Sequence, residues 1–361
     1  MQDTNSRLMS NNFDLLRLLF AGIVCLVHAH QLSKHEELEV IGVFLSSEIA
    51  IEAFFIVSGF LIFMSYERSS SLSSYFEKRA RRILPSYIVV VILCAFGFVL
   101  ISTLSYGEYF SSNWIRYIVA NLSFLNFIQH SLPGVFEGNK FNAVNGALWT
   151  LKIEVMFYLS VPFFVCLFRR FSCLPVIAFF YISSLVYVYT LSSLEEHSGN
   201  GLYTILSRQL PGQLSYFMAG AYFYYFLHIF EANAKYFVSF STLVLAINTV
   251  FPLTFIEPFA IATLVIFFGL FLYMGNFGKF GDISYGVYIL HFPIIQTFID
   301  VGWFAEKPWL FLISVIAVTT VGAMIMWSFV EKRFLHRGGR YVLATTSLVE
   351  ITPNKASNTT P

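Results

Sequence analysis

Ten apolar stretches, each about twenty residues long, follow one another along this chain: 13–31, 41–65, 83–104, 146–168, 173–194, 210–227, 236–255, 257–275, 283–303 and 309–330. A helix rises about 1.5 Å per residue and the hydrocarbon core of a bilayer is about 30 Å thick, so each stretch has the length of one crossing. In lipid the backbone must satisfy its own polar groups, which leaves helices or closed barrels. The pattern therefore predicts an all-α polytopic integral membrane protein with ten transmembrane helices. Composition agrees: 57% of the 361 residues are hydrophobic and 12% are charged, against about a quarter charged in soluble domains. That leaves no room for a large soluble domain. The 22 basic and 21 acidic residues make no electrostatic case for nucleic acid.

A further segment, Trp114 to Gln129, carries Arg116, Asn121 and Asn126, and whether it crosses decides the sidedness of every later loop. With the N-terminus inside and this segment not crossing, thirteen Lys and Arg fall in inner loops, among them Arg79, Arg82, Arg169, Arg170, Arg337 and Arg340. Five fall outside: Lys34, Arg116, Lys140, Arg208 and Lys307. That asymmetry obeys the positive-inside rule. Both termini are thus expected in the cytoplasm, with 105–145 an outer loop holding a short re-entrant or interfacial helix. Residues 1–340 read as the membrane-embedded domain and 341–361 as a polar, disordered cytoplasmic tail. Twelve mostly polar residues precede the first span, that span carries Arg17, and no small-residue cleavage site follows. It is expected to stay as an anchor.

Polar residues inside the spans are the candidates for chemistry, because a charge at membrane depth costs about 2.5 kcal/mol or more. Arg17 and His28 lie eleven residues apart in the first span. Eleven residues end about 20° past three turns, so the two share one helix face with about 16 Å of rise between them. Asp14, Ala21, Val24 and Cys25 fall along the same face. Arg79 and Arg82, three apart before Leu84-Pro85, form a forked basic pair suited to phosphate; anchoring of anionic lipid headgroups is the plainer reading. Glu154 sits inside an apolar helix with Tyr158 one turn on. Lys152 points some 200° away from it, so the two need different partners.

Glu52 is the deeper of two glutamates one turn apart, and Ser58-Gly59 reads first as a notch for close helix packing. His30, His35, Glu36 and Glu37 face different ways or lie in a loop, and the four cysteines lack ligand spacing, so no metal is expected. The cysteines read as small core residues. His291, before Pro293, reads as a structural hydrogen-bonder, and the aromatic richness as interfacial belts and lipid-facing bulk.

Taken in order, Arg17-x10-His28, Ser58-Gly59-Phe60, Arg79-x2-Arg82, Leu148-Trp149-Thr150-Leu151 to Glu154, Phe157-Tyr158, and Ser284-Tyr285 to His291 resemble the acyltransferase 3 family of bacterial membrane O-acyltransferases. The resemblance implies transfer of an acetyl or other acyl group from cytosolic acyl-coenzyme A to a sugar hydroxyl of a cell-surface polysaccharide such as lipopolysaccharide O-antigen or exopolysaccharide. It implies acetyl-CoA as donor, no metal, a lipid-linked glycan or polysaccharide acceptor, contact with membrane lipids, and a place in the bacterial inner membrane. Carried onto this sequence, it makes His28, Glu154 and Arg17 catalytic, gives the coenzyme to Arg79, Arg82 and Arg17, and gives the acceptor to Glu52, Trp149 and Tyr158. The pantetheine arm would thread from Arg17 to His28, with His28 as general base or covalent acyl carrier and Glu154 orienting its imidazole. Two departures stand out. Val155 occupies a place that is acidic in many members, and none of these 361 residues is left over for the esterase-like domain some members carry. The rival from another class is a transporter or flippase for a lipid-linked saccharide that uses Arg17, Glu52 and Glu154 as its path. Acyl-CoA consumption separates the two.

Overall fold

A computed structural model describes residues 4–335, and among these every regular element is helical. The tail 341–361, together with Arg337 and Arg340, lies outside the described residues. The principal helices are α1 (Phe13–Ser33), α2 (Ser47–Glu67), α3 (Leu72–Gly97), α4 (Ser112–Leu122), α5 (Leu148–Phe171), α6 (Cys173–Ser198), α7 (Leu210–Tyr225), α8 (Leu227–Asn248), α9 (Glu257–Phe271), α10 (Ser284–Asp300) and α11 (Pro308–Met326). Six segments are long and apolar enough to cross a membrane: Phe13–Ser33, Glu36–Glu67, Leu72–Leu100, Leu148–Phe171, Cys173–Ser198 and Pro308–Phe334. The other four predicted spans are helices too (α7 to α10), but shorter or less apolar, so six crossings rather than ten meet the physical requirement outright.

The segment 114–129 does not form a spanning helix. Its helix α4 has 11 residues, about 16 Å of rise, roughly half a hydrocarbon core. Buried Asn121 folds the chain back: its side-chain amide donates to the carbonyls of Tyr117 (2.8 Å) and Gln129 (2.9 Å), and the Tyr87 hydroxyl donates to its backbone carbonyl (2.8 Å). The polar residue that interrupts the hydropathy is the one that closes the turn.

Helix α2 crosses α7 through a pair of glycines. A Cβ on Gly59 would lie 2.1 Å from the Phe217 carbonyl oxygen, and one on Gly220 would lie 2.1 Å from that of Ile56. Small residues let membrane helices meet backbone to backbone, and this crossing is the packing notch expected at Ser58-Gly59. Gly59→Ala is expected to lower the thermal midpoint of the detergent-purified protein, because the obstacle on each side is backbone and the helices must part. The cost is at least the 1–3 kcal/mol typical of overpacking. Ser58→Ala, one residue away and about 100° round α2, on the cavity side, should melt with the wild type. Equal midpoints for Gly59→Ala and wild type would overturn this account.

The aromatic residues are less peripheral than expected. Phe13, Phe60, Phe63, Phe157, Phe217, Phe223 and Phe230 are fully buried, and the Phe157 and Phe217 rings stack 4.0 Å apart, nearly parallel. Lipid offers no hydrophobic drive for helix association, so ring packing does that work. Of the cysteines, Cys25 and Cys94 are core residues and Cys173 is half-buried, whereas Cys166 is exposed on the helix surface.

Two prolines inside helices shape the neighbourhood of the site. Pro162 has no amide hydrogen for the carbonyl of Tyr158, and the Tyr75 hydroxyl takes its place at 3.0 Å. Pro293 likewise frees the carbonyl of Ile289, and the buried Asn145 side chain donates to it at 2.8 Å. The segment between α4 and α5 is tied to α10 by Gln296, whose amide donates to the carbonyls of Phe141 (2.5 Å) and Ala143 (2.9 Å).

Candidate active site

A cavity of about 390 Å³ opens among α2, α3, α5 and α10, within the range of small-molecule sites. Its cations are Arg17, Arg68, Lys78, Arg79, Arg81 and Arg82. Apolar walls come from Ile51, Phe54, Phe55, Leu61 and Ile62, and polar groups from Ser58, Thr150, Glu154, Tyr158 and Tyr288. The Leu72–Gly97 helix brings four of the cations together because Lys78, Arg79, Arg81 and Arg82 span little more than one turn. Arg79 donates to Ser65 Oγ (2.9 Å) and lies over the Tyr158 ring at 5.6 Å. Arg81 pairs one turn back with Glu77 (2.5 Å).

Arg82 is held differently. Its guanidinium meets the carboxylate of Asp282 at 2.5 Å, and Arg17 approaches the same oxygen at 3.5 Å while pairing with Asp14. Asp282 is 3% exposed, and it also accepts from the amide (3.2 Å) and the hydroxyl of Ser284. This node joins α1, α3 and the start of α10. Sequence reasoning passed over Asp282, which follows Lys279 in the loop just ahead of the 283–303 stretch and lacks the apolar flanks that singled out Glu154. The forked pair thus divides: Arg79 faces the cavity with a neutral partner, and Arg82 is neutralised by a buried acid.

At the deep end, the Thr150 and Tyr288 hydroxyls meet at 2.6 Å, and the Phe54 ring packs edge-on against Tyr288. Beyond this wall the Tyr288 ring meets His291 edge-on at 5.7 Å. His291 Nε2 lies 2.9 Å from His28 Nδ1, with the two rings edge to edge and their planes 24° apart. His291, expected to be an ordinary structural hydrogen-bonder, is therefore the direct partner of His28.

Three expectations are corrected. The face of α1 between Arg17 and His28 is no channel: Ala21 and Val24 are wholly buried and Cys25 nearly so. Small side chains there admit neighbouring helices, not a ligand, and the open path runs alongside, between α2, α5 and α10. Glu154 does not hold the His28 imidazole; its carboxylate accepts from the Tyr158 hydroxyl at 2.5 Å. Lys152 turns away to Gln209 (2.6 Å), as the helix angle requires. Glu52 and Trp149 do not line the cavity, though Tyr158 does. Glu52 instead takes a hydrogen bond from Tyr216, with Glu48 and Glu257 nearby.

Fold and site together define a polytopic helical membrane protein with a basic cavity, whose wall at Thr150 and Tyr288 stops one side chain short of an imidazole pair. The chain belongs to the acyltransferase 3 family, whose acyltransferase domain matches residues 10–328. Among its relatives, an O-acetyl transferase of Shigella phage Sf6 is 29% identical over 340 residues, covering 91% of this chain and 97% of the relative. Nodulation protein 10 of Rhizobium leguminosarum bv. viciae is 26% identical over 343 residues, covering 89% and 92%. No solved structure matches the chain.

Proposed function

We propose that this protein moves an acetyl or related acyl group from cytosolic acyl-coenzyme A to a sugar hydroxyl of a cell-surface polysaccharide, such as lipopolysaccharide O-antigen or exopolysaccharide. The carrying observation is the cavity: six cations and apolar walls suit a molecule with a phosphorylated head and a long thioester arm, and Tyr288 in its lining meets the His28–His291 pair. The full-length similarity to a phage O-acetyl transferase supports the same chemistry. Arg79 holds a donor phosphate through its planar fork, Arg17 and Arg82, charge-balanced by Asp14 and Asp282, brace the wall beside it, and Tyr158 with Glu154 lines the arm's path. The acceptor hydroxyl gives its proton to His28 as its oxygen bonds the acyl carbon. The carbon–sulfur bond then breaks, and the coenzyme thiolate takes up a proton. In the proposed orientation the four remaining helices α7 to α10 also cross, both termini are cytoplasmic, and the protein sits in the inner membrane of a bacterium.

Sidedness and donor are tested together. Inverted membrane vesicles carrying the protein should release coenzyme A thiol from added acetyl-CoA and gain acetyl ester on their glycan by mass spectrometry. Sealed right-side-out vesicles should do neither. Arg79→Lys, at equal expression, should raise the acetyl-CoA concentration needed for half-maximal rate, because an ammonium cannot bond phosphate bidentately. Glycan movement without thiol release would identify a transporter instead.

A further inference from the structure

The two imidazoles form a directional chain, and its direction can be read from the atoms. His291 Nδ1 lies 3.3 Å from the carbonyl oxygen of Val287, one turn earlier in α10. A carbonyl only accepts, so Nδ1 of His291 carries its hydrogen; the opposite tautomer would set two lone pairs against each other. Nε2 of the neutral His291 ring is then an acceptor, and the group facing it at 2.9 Å is His28 Nδ1. His28 must donate there, which places its own hydrogen on Nδ1 and leaves Nε2 with a free lone pair. Among the described residues His28 Nε2 has no hydrogen-bond partner.

We propose that His291 is a positioning residue that fixes His28 in the Nδ1–H tautomer, through a relay from the Val287 carbonyl to His291 to His28, so that His28 Nε2 is the proton-accepting atom. A carboxylate orients the general base in a serine-hydrolase triad; here a neutral imidazole anchored on its own helix backbone takes that part. Burial favours the neutral device, since His291 is 0% exposed and an ionised carboxylate there would carry the cost of a charge in lipid. The rings are held by aromatic edges: Tyr288 against His291 at 5.7 Å and Phe292 against His28 at 5.6 Å. Phe292 in turn seats on Gly146, where a Cβ would lie 2.6 Å from its ring. In the reaction the hydroxyl proton moves to His28 Nε2 and the developing positive charge is shared toward His291 across the 2.9 Å bond. That proton is returned to the leaving thiolate, so the relay ends as it began.

This inference rests on His28 being the reacting imidazole of the proposed function. The test uses the full chain in detergent or lipid vesicles, with acetyl-CoA as donor and acceptor glycan present. His291→Phe keeps a ring of similar shape but accepts nothing. Its kcat should fall about 10²–10⁴-fold, the range for losing a correctly presented general base, with KM for acetyl-CoA unchanged. His291→Gln supplies an amide oxygen for His28 Nδ1 and an N–H for Val287, and it should recover much of that loss. In protein with 15N-labelled histidine, His28 Nε2 should resonate as an unprotonated ring nitrogen, and in His291→Phe the two tautomers should mix. Wild-type kcat in folded His291→Phe, or a wild-type spectrum with the His28 hydrogen on Nε2, would overturn the proposal. If His291→Phe does not fold, that wild-type spectrum decides it. Activity retained by His28→Ala would instead remove the functional reading, leaving the tautomer to be judged from the spectrum alone.

Discussion

His28→Ala is expected to abolish glycan acylation while the protein remains folded and inserted. The side chain is half-buried, and among the described residues its hydrogen-bond partner is His291 (2.9 Å), so truncation removes a reacting group without unpairing an ion. Loss of a general base costs about 10²–10⁴-fold; an obligatory acyl-imidazole intermediate would make the loss nearly complete. His30→Ala is the matched control. His30 lies two residues on, at a different angle on α1, and its ring packs 3.3 Å from where a Cβ on Gly42 would stand. Acetyl ester on the glycan, quantified by mass spectrometry, should vanish in the first variant and persist in the second. Near-normal ester in His28→Ala, or an equal loss in His30→Ala, would place the chemistry elsewhere.

Asp282→Ala should cost more stability than any other single substitution at the site, about 3–5 kcal/mol by the measure of a buried ion pair that loses one member. The carboxylate is almost completely buried and answers both Arg82 (2.5 Å) and Arg17 (3.5 Å). Removing it leaves two guanidinium groups facing each other in a cavity that already holds four further cations. The readout is the thermal midpoint in detergent, followed by a double-mutant cycle. Arg82→Met in the Asp282→Ala background should restore part of the midpoint, because the stranded charge is removed together with its partner. If Asp282→Ala melts like wild type, the node is a surface-like contact and carries no structural charge balance. Asp282→Asn keeps the shape and the Ser284 contacts but loses the charge, so it should fall between the two.

The residues of the site and their grouping in space were legible to different degrees. Arg17, Glu154, Tyr158 and His28 announce themselves as polar side chains in apolar helices, where lipid makes each one costly, whereas Arg79 stands out only as half of a forked basic pair in an inner loop. The bond from Tyr158 to Glu154 follows from a spacing of one turn, and the divergence of Lys152 follows from a spacing of two residues. Glu52 announces itself just as loudly, yet it bonds Tyr216 away from the cavity. Depth along one helix says nothing about which neighbour that helix will meet.

By itself, then, the sequence determined the helical membrane class, the short fold-back at Ser112–Leu122, the glycine notch at Gly59 and the identity of most side chains that carry charge into the bundle. Each of these follows from local spacing and from the cost of burying a polar group. Tertiary structure alone decided that Ala21 and Val24 close the face of α1, that the open path runs beside it, that Asp282 answers Arg82, and that His291 rather than Glu154 meets His28. Those pairings join residues 200 and 263 positions apart. They depend on which helices pack together and at what rotation, and in a bundle where lipid and side chains are equally apolar that is set by small steric and polar contacts spread over the whole fold.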